Sequence, residues 1–356
     1  MGYSNVGTPS FFIDNYFYRK TIGGMDNARS NLQGDINILD DDLFTLRPSS
    51  YKTLQNQNGT GSFDIYIPNT GNYTYSGNMS CYVAILNHAF TQGDNYITNI
   101  SYHDVDFSNL NTASFSPIVN DIGEGAKNGS TILETTSEEE NAYIGINFSS
   151  ANSLNLGAIS TGIKYKMTQT PELDVSMEIE HDGYKSITSS SGADITSVAY
   201  TGAPLWNNGV NFTNPFEIYS GALDVRNTGG VSNGRKSWDM KFKHLADEDM
   251  FSSNTKTSSH TENSSTYNSS DVNTDTANDY LLYNMNEDDS FIAQVWNKTL
   301  GGALPFIFQP DSDNYDDFYI CKFDKDKLKV NQSAYKVYDI SLKIVQVWWL
   351  TIKTSI

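Results

Sequence analysis

The chain has 356 residues, enough for about two or three domains, and carries 42 Asp and Glu against 23 Lys and Arg, a net charge of −19 with only 18% of residues charged. A negative field repels phosphates and acidic lipid, so the charge balance argues against broad electrostatic binding of nucleic acid or a membrane surface. Asn, Ser, Thr and Gly carry the polarity, and 22 Tyr with 18 Phe dominate the aromatics, a mix that disfavours helix interiors and favours strands and turns.

Period-two alternation, the mark of half-buried strands, recurs along the chain. Phe63, Ile65 and Ile67 form the first clear case, ended by Pro68-Asn69. Strands are expected at Tyr82 to Leu86 and Ile97 to Phe107; in the second the apolar phase slips at His103-Asp104, where a bulge fits. Residues 109–141 are looser and mark a boundary between an N-terminal domain, 1–140, and a C-terminal domain, 141–356. Another strand is expected at Tyr143 to Phe148.

The most regular alternation sets Leu173, Val175, Met177 and Ile179 on one face, against Asp174, Ser176, Glu178 and Glu180. His181-Asp182-Gly183 then reads as a tight turn returning Tyr184 to Thr188 as the hairpin partner. A strand at Ile195 to Tyr200 follows, and then Trp238, Met240 and Phe242 face inward against Asp239, Lys241 and Lys243. Residues 252–279 are low-complexity and nearly free of apolar side chains, an insertion that does not bury enough surface to offset its ordering entropy.

One segment, 288–300, reads as a short amphipathic helix. Asp288 or Asp289 caps it, Phe291, Ile292, Val295, Trp296 and Leu300 form its apolar stripe, and Gly301-Gly302 stops it. Strands at Phe318 to Phe323 and Val337 to Trp348 close the chain. The expected class is mainly β: two or more sandwich- or jelly-roll-like domains with one short helix.

The sequence offers little chemistry. His88, His103, His181, His244 and His260 show no metal-ligand spacing, so no metal site is proposed. There is no Gly-x-Ser-x-Gly elbow, and Gly123 to Gly129 misses the dinucleotide fingerprint by one residue with no helix pattern behind it. No catalytic or cofactor-binding residue is therefore assigned, and the chain is expected not to be an enzyme. The turn Asp311-Ser312-Asp313-Asn314-Tyr315-Asp316-Asp317 has the alternating carboxylates of a calcium loop but lacks its sixth-position glycine, and reads as a solvated acidic turn. Asp40-Asp41-Asp42 reads as the start of a short element.

Cys81 and Cys321 each sit in an apolar run and read as buried free thiols. The Asn-x-Ser/Thr triplets at Asn58, Asn72 and Asn297 are expected by chance in so Asn-, Ser- and Thr-rich a chain. Phe11-Phe12-Ile13 is too short for a signal core, so synthesis and folding in the cytoplasm are expected. Ile340 to Ile352, interrupted by Lys343, Gln346 and Thr351, falls short of the roughly 20 residues that span a membrane.

The order of several segments is more informative. Gly301-Gly302-Ala303-Leu304-Pro305-Phe306-Ile307-Phe308-Gln309-Pro310-Asp311 is followed by Phe318-Tyr319-Ile320-Cys321-Lys322-Phe323 and by Tyr338-Asp339-Ile340-Ser341-Leu342-Lys343-Ile344 with Val347-Trp348. Upstream lie Gly157-Ala158-Ile159-Ser160, Pro171-Glu172-Leu173-Asp174-Val175 and Gly234-Arg235-Lys236-Ser237-Trp238-Asp239. Tyr82 to His88 matches a "YVAILGHN" strand, with Asn87 where Gly is usual. In this order the segments resemble the minor tail and distal tail proteins of tailed bacteriophages.

The resemblance implies a virion structural protein of the tail tip, baseplate or distal tail, made in the host cytoplasm. It further implies a ring-forming homo-oligomer whose neighbours are tube, hub and fibre proteins. Arg235-Lys236 and the lysines from Lys322 to Lys329 are candidate interface charges in so acidic a subunit. A carbohydrate-binding or glycan-degrading virion protein, with host glycan as partner, is the competing expectation, and a head or neck decoration protein is a third.

Overall fold

A computed structural model describes residues 7–23, 27–30, 37–38, 41–46, 52–55, 62–69, 78–88, 95–104, 106, 109–112, 115–120, 129–136, 143–150, 153–180, 184–198, 235–251, 289–314, 317–324 and 326–347. Within these the protein is mainly β, as the alternation leads one to expect. In chain order the first strands are β1 (Ser10–Asp14), β2 (Arg29–Ser30), β3 (Asn37–Ile38), β4 (Lys52–Gln55), β5 (Ser62–Pro68), β6 (Met79–His88) and β7 (Asn95–His103). Then come β8 (Asn109–Thr112), β9 (Ser116–Asn120), β10 (Gly129–Thr135), β11 (Tyr143–Ser150), β12 (Ser153–Leu156) and β13 (Ala158–Lys166). The last are β14 (Ser176–Glu180), β15 (Tyr184–Thr188), β16 (Asp194–Val198), β17 (Arg235–Ala246), β18 (Phe306–Gln309), β19 (Tyr319–Phe323), β20 (Val330–Ala334) and β21 (Val337–Gln346).

Eleven strands form one sheet, ordered β14-β17-β21-β19-β18-β1-β13-β6-β10-β9, with β20 on β21; six more form a second, β3-β2-β5-β11-β7-β8. All the described ladders are antiparallel. The two sheets pack face to face through Val83, Ile85 and Ile159 of the large sheet and Ile65, Ile100, Ile146 and Phe148 of the smaller one. The same face of the large sheet continues into a second core, where Phe11, Trp238, Phe242, Phe306 and Ile344 meet Phe291 and Val295. On the opposite face Phe12, Tyr82, Leu86, Ile132 and Ile307 form a third core. Central strands such as β6 are therefore buried on both faces, and each fully buried large apolar side chain contributes roughly 1.5–3 kcal/mol.

Several expected elements differ in detail. In β17, Trp238, Met240 and Phe242 are buried as the alternation predicts. Residues 173–179 show equally clean alternation, yet β14 is exposed throughout, because it is the last strand of its sheet and nothing described covers its apolar face. Its partner is β17, not the segment after it. β15 pairs instead with β16, through a turn in which Gly192 takes a left-handed φ of 81° and Ala193 N–H bonds the Ser189 hydroxyl. His181-Asp182-Gly183, 252–279 and Asp288 lie outside the described residues.

The expected bulge at His103-Asp104 becomes a register shift between β7 and β8, where Tyr102 pairs Asn111 and His103 pairs Asn109. The loose stretch 109–141 holds β8, β9 and β10. No break in the sheets coincides with residue 140: β1 lies between β13 and β18, and β11 lies between β5 and β7.

The helix near 288–300 is present, but Ile292–Asn297 winds as a π-helix. Its cap is Ser290, whose hydroxyl accepts from Ala293 N–H at 3.3 Å. Phe291 packs edge-on against Phe11 and Tyr165, fixing the element on the sheet, and Gly301 and Gly302 end it with positive φ. A helix the alternation does not reveal, α1 (Asn15–Ile22), follows β1 directly; Asp14 caps it by accepting from Phe17 N–H, and Gly23 closes it at φ 85°. No described helix is long and apolar enough to cross a membrane.

Candidate functional site

The alternation of β17 puts Lys236 and Trp238 on one face, and the register sets Trp238 between Met177 of β14 and Ile344 of β21. At this end of the large sheet the face opens into a groove of about 790 Å³, within the size range of ligand and peptide sites. Trp238 and Tyr319 form its floor, with ring centroids 4.9 Å apart. Lys236 Nζ lies 4.4 Å from the Tyr319 ring centroid and donates to the Tyr319 hydroxyl, which donates to Asp317.

One wall is the chain leading into β14. Glu172 N–H bonds Lys241 C=O, and ion pairs Lys241–Asp174 and Lys243–Glu172, both 2.6 Å, hold this segment beside β17. Leu173, Val175 and Met177 consequently face the groove; Leu173 is fully exposed and Met177 is 47% exposed.

The other wall is the acidic turn after β18. Asp311 accepts from Asp313 N–H at 3.0 Å, and Asn314 N–H bonds Asp311 C=O. Gly7 lies so close that a Cβ there would meet the Asp311 carboxylate at 2.0 Å. Four carboxylates, Glu172, Asp311, Asp313 and Asp317, thus line the groove with Lys236, and Glu172 among them is already paired with Lys243. The arrangement attracts a cation that also carries apolar surface.

Among the described residues no group of three or more His, Cys, Asp or Glu side chains is placed to hold a metal ion; Tyr315 and Asp316 of the acidic turn lie outside them. Of the expected interface charges, Lys236 belongs to the groove, while Lys327 and Lys329 are exposed ahead of β20. Cys81 and Cys321 are buried thiols not joined in a disulfide, and burial pushes the Cys321 thiol well up. Asp41–Phe44 forms one 3₁₀ turn.

The histidines do other work. His88 is buried beside Thr131 at 2.8 Å, and burial pushes it down to about 3, so it stays neutral. His103 bonds the Ser101 hydroxyl at 2.8 Å on the outer face of the second sheet. Gly145 leaves it room, since a Cβ there would meet the imidazole at 2.4 Å. This Ser–His pair is buried and lacks the open approach a nucleophile needs. His244 is exposed at φ 60°, in the register shift between β17 and β21, and His181 and His260 lie outside the described residues.

Three buried ionisable groups, Asp14, Tyr82 and Lys298, carry no motif in the sequence. Asp14 is pushed up to about 7 by burial, against the pull of the Phe17 N–H and the Ser160 hydroxyl. Tyr82, bonded to Ser160 at 2.6 Å, is pushed up by burial and then by Asp14. Lys298 is fully buried on the π-helix side and pushed well down by burial, with Nζ donating to Gln294 at 2.5 Å.

No protein-family model matches the chain, and no curated protein matches it. Among solved structures it is similar to a DUF4466 family protein from Parabacteroides merdae at 9% identity, over 85% of this chain and 100% of that one, with a TM-score of 0.17; a likeness of that size carries no argument.

Proposed function

We propose that the chain is a structural, non-enzymatic subunit of a bacteriophage tail, a tail-tip, baseplate or distal-tail ring protein that associates with copies of itself. The ordered C-terminal segments support this reading, and one observation carries its self-association. The outermost strand of the large sheet and the chain leading into it leave Leu173, Met177 and Ile179 in solvent, the last two 47% and 51% exposed, beside an acidic groove. Strand edges with open apolar side chains are where other chains add, and a weakly charged surface suits dense packing of identical copies.

The glycan reading draws on the same groove, yet its rings are poorly offered. Trp238 is buried, and Lys236 lies over the ring of Tyr319, so neither presents the open platform on which a sugar stacks.

Mass spectrometry of gradient-purified phage particles tests the proposal. Peptides of this chain are expected at a fixed ratio to the tail-tube protein. Their absence from particles whose other tail proteins are detected would overturn it.

A further inference from the structure

We propose that the acidic groove receives the β20–β21 hairpin of a second copy of this chain, so that copies join head to tail. The inference rests on the reading of the chain as a self-associating subunit and identifies its contact. Ala334 pairs with Val337, so the turn consists of Tyr335 and Lys336 alone. Two-residue hairpin turns favour Asn-Gly and similar pairs, because positive φ strains residues with a Cβ. Here Lys336 takes φ 57°, and Tyr335, next to it, is 82% exposed and adds nothing to a core. The turn thus departs from the residues its backbone favours and holds an aromatic ring and a cation out in water.

The chemistry of this tip complements the groove. Residues 327–338 contain Lys327, Lys329 and Lys336 and no Asp or Glu, in a chain of net charge −19. Asp247, whose N–H bonds Lys336 C=O, and Glu248 are the acidic neighbours from the adjoining turn. The groove offers Leu173 and Met177 to the Tyr335 ring and the carboxylates of Asp311 and Asp313 to a lysine. A buried tyrosine is a common anchor of protein interfaces, removing roughly 150–250 Å² of side-chain surface from water.

Geometry excludes the molecule's own tip as the occupant. The groove lies where Trp238 pairs Ile344, near the end of β21, and the hairpin tip lies just before its start at Val337. Eight residues of strand, Val337 to Ile344, separate them, about 26 Å at ~3.3 Å per residue, so no molecule can fill its own groove with its own tip. A tip at one end and a groove at the other make a heterologous contact, which closes into a ring when the rotation between copies allows.

The test uses two full-length variants. Tyr335→Ser with Lys336→Glu disables the tip, and Met177→Lys with Asp313→Lys disables the groove. All four side chains project from the surface, and circular dichroism with melting curves checks that both variants fold; Tyr335→Phe, which keeps the ring, is expected to assemble as wild type. Sedimentation is expected to show each variant self-associating at least about tenfold more weakly than wild type. An equimolar mixture should form a one-to-one dimer and nothing larger, because only one tip and one groove remain to meet. If wild type associates while the tip variant associates equally well, or the mixture stays monomeric, the hairpin contact is overturned and self-association stands. A wild type that stays monomeric at high concentration overturns both.

Discussion

At the scale of single residues, the buried carboxyl of Asp14 makes the sharpest claim. Burial raises it to about 7, whereas the unfolded carboxyl titrates near ~3.9. The folded chain therefore holds this proton more tightly than the unfolded chain. The stabilisation is complete below about pH 4 and fades as pH rises through about 7. His88 works in the opposite sense: burial lowers it to about 3, so its share of stability is present above ~6.5 and is lost as pH falls toward 3. The two slopes oppose each other between about pH 4 and 6.5, so a variant is needed to isolate one. Asp14→Asn keeps an oxygen to accept from Phe17 N–H and cannot ionise. Relative to wild type, its urea midpoint should rise between pH 4 and pH 8, by a difference of up to about 4 kcal/mol. An equal difference at both pH values would contradict a charge-excluding site around Asp14. The burial of neither group was legible in the sequence, because covering by strands far apart in the chain leaves no local pattern. Asn87 adopts φ 54°, a conformation Gly and Asn tolerate best.

At the scale of elements, alternation identified β17 because its buried Trp238, Met240 and Phe242 alternate with the exposed Asp239, Lys241 and Lys243. It misjudged the burial of β14 for a physical reason: period two reports the chemistry of two faces, not whether a neighbour covers either one. Strands β1 and β13 escaped notice because both their faces are largely covered, and strands of that kind need not alternate. Helix α1 was missed because Tyr16, Phe17 and Tyr18 are indifferent helix formers, and its ends are set by Asp14 and Gly23. The β1–β13 contact depends on Gly162, where a Cβ would meet Ile13 C=O at 2.0 Å and Asn15 N at 2.7 Å. Backbone cannot yield as a flexible side chain does, so Gly162→Ala is expected to cost about 1–3 kcal/mol or more. A denaturant midpoint unchanged from wild type would show that β1 and β13 do not lie so close. Phe11→Ala, which empties a site ringed by Phe291, Phe306, Phe308 and Phe323, should cost about 3–5 kcal/mol by the same measurement.

At the scale of the whole molecule, the charge of −19 sets the problem that the proposed assembly must solve. Identical acidic subunits repel, and a contact that offsets this must concentrate the few basic residues against the many acidic ones. The groove and the lysine-bearing hairpin divide those charges between opposite ends of one long strand. That division was only half legible in the sequence. The acidic turn at 311–317 and the lysines from 322 to 329 stand out in the primary structure, but their placement emerges only when β17, β19 and β21 assemble the sheet. The aromatic floor was hidden altogether, since Trp238 and Tyr319 are 81 residues apart and meet across β21. The most direct measurement of self-assembly is electron microscopy of the purified full-length chain at rising concentration. Closed rings of a single copy number are the expected result, and particles that remain single subunits at every concentration would contradict the account.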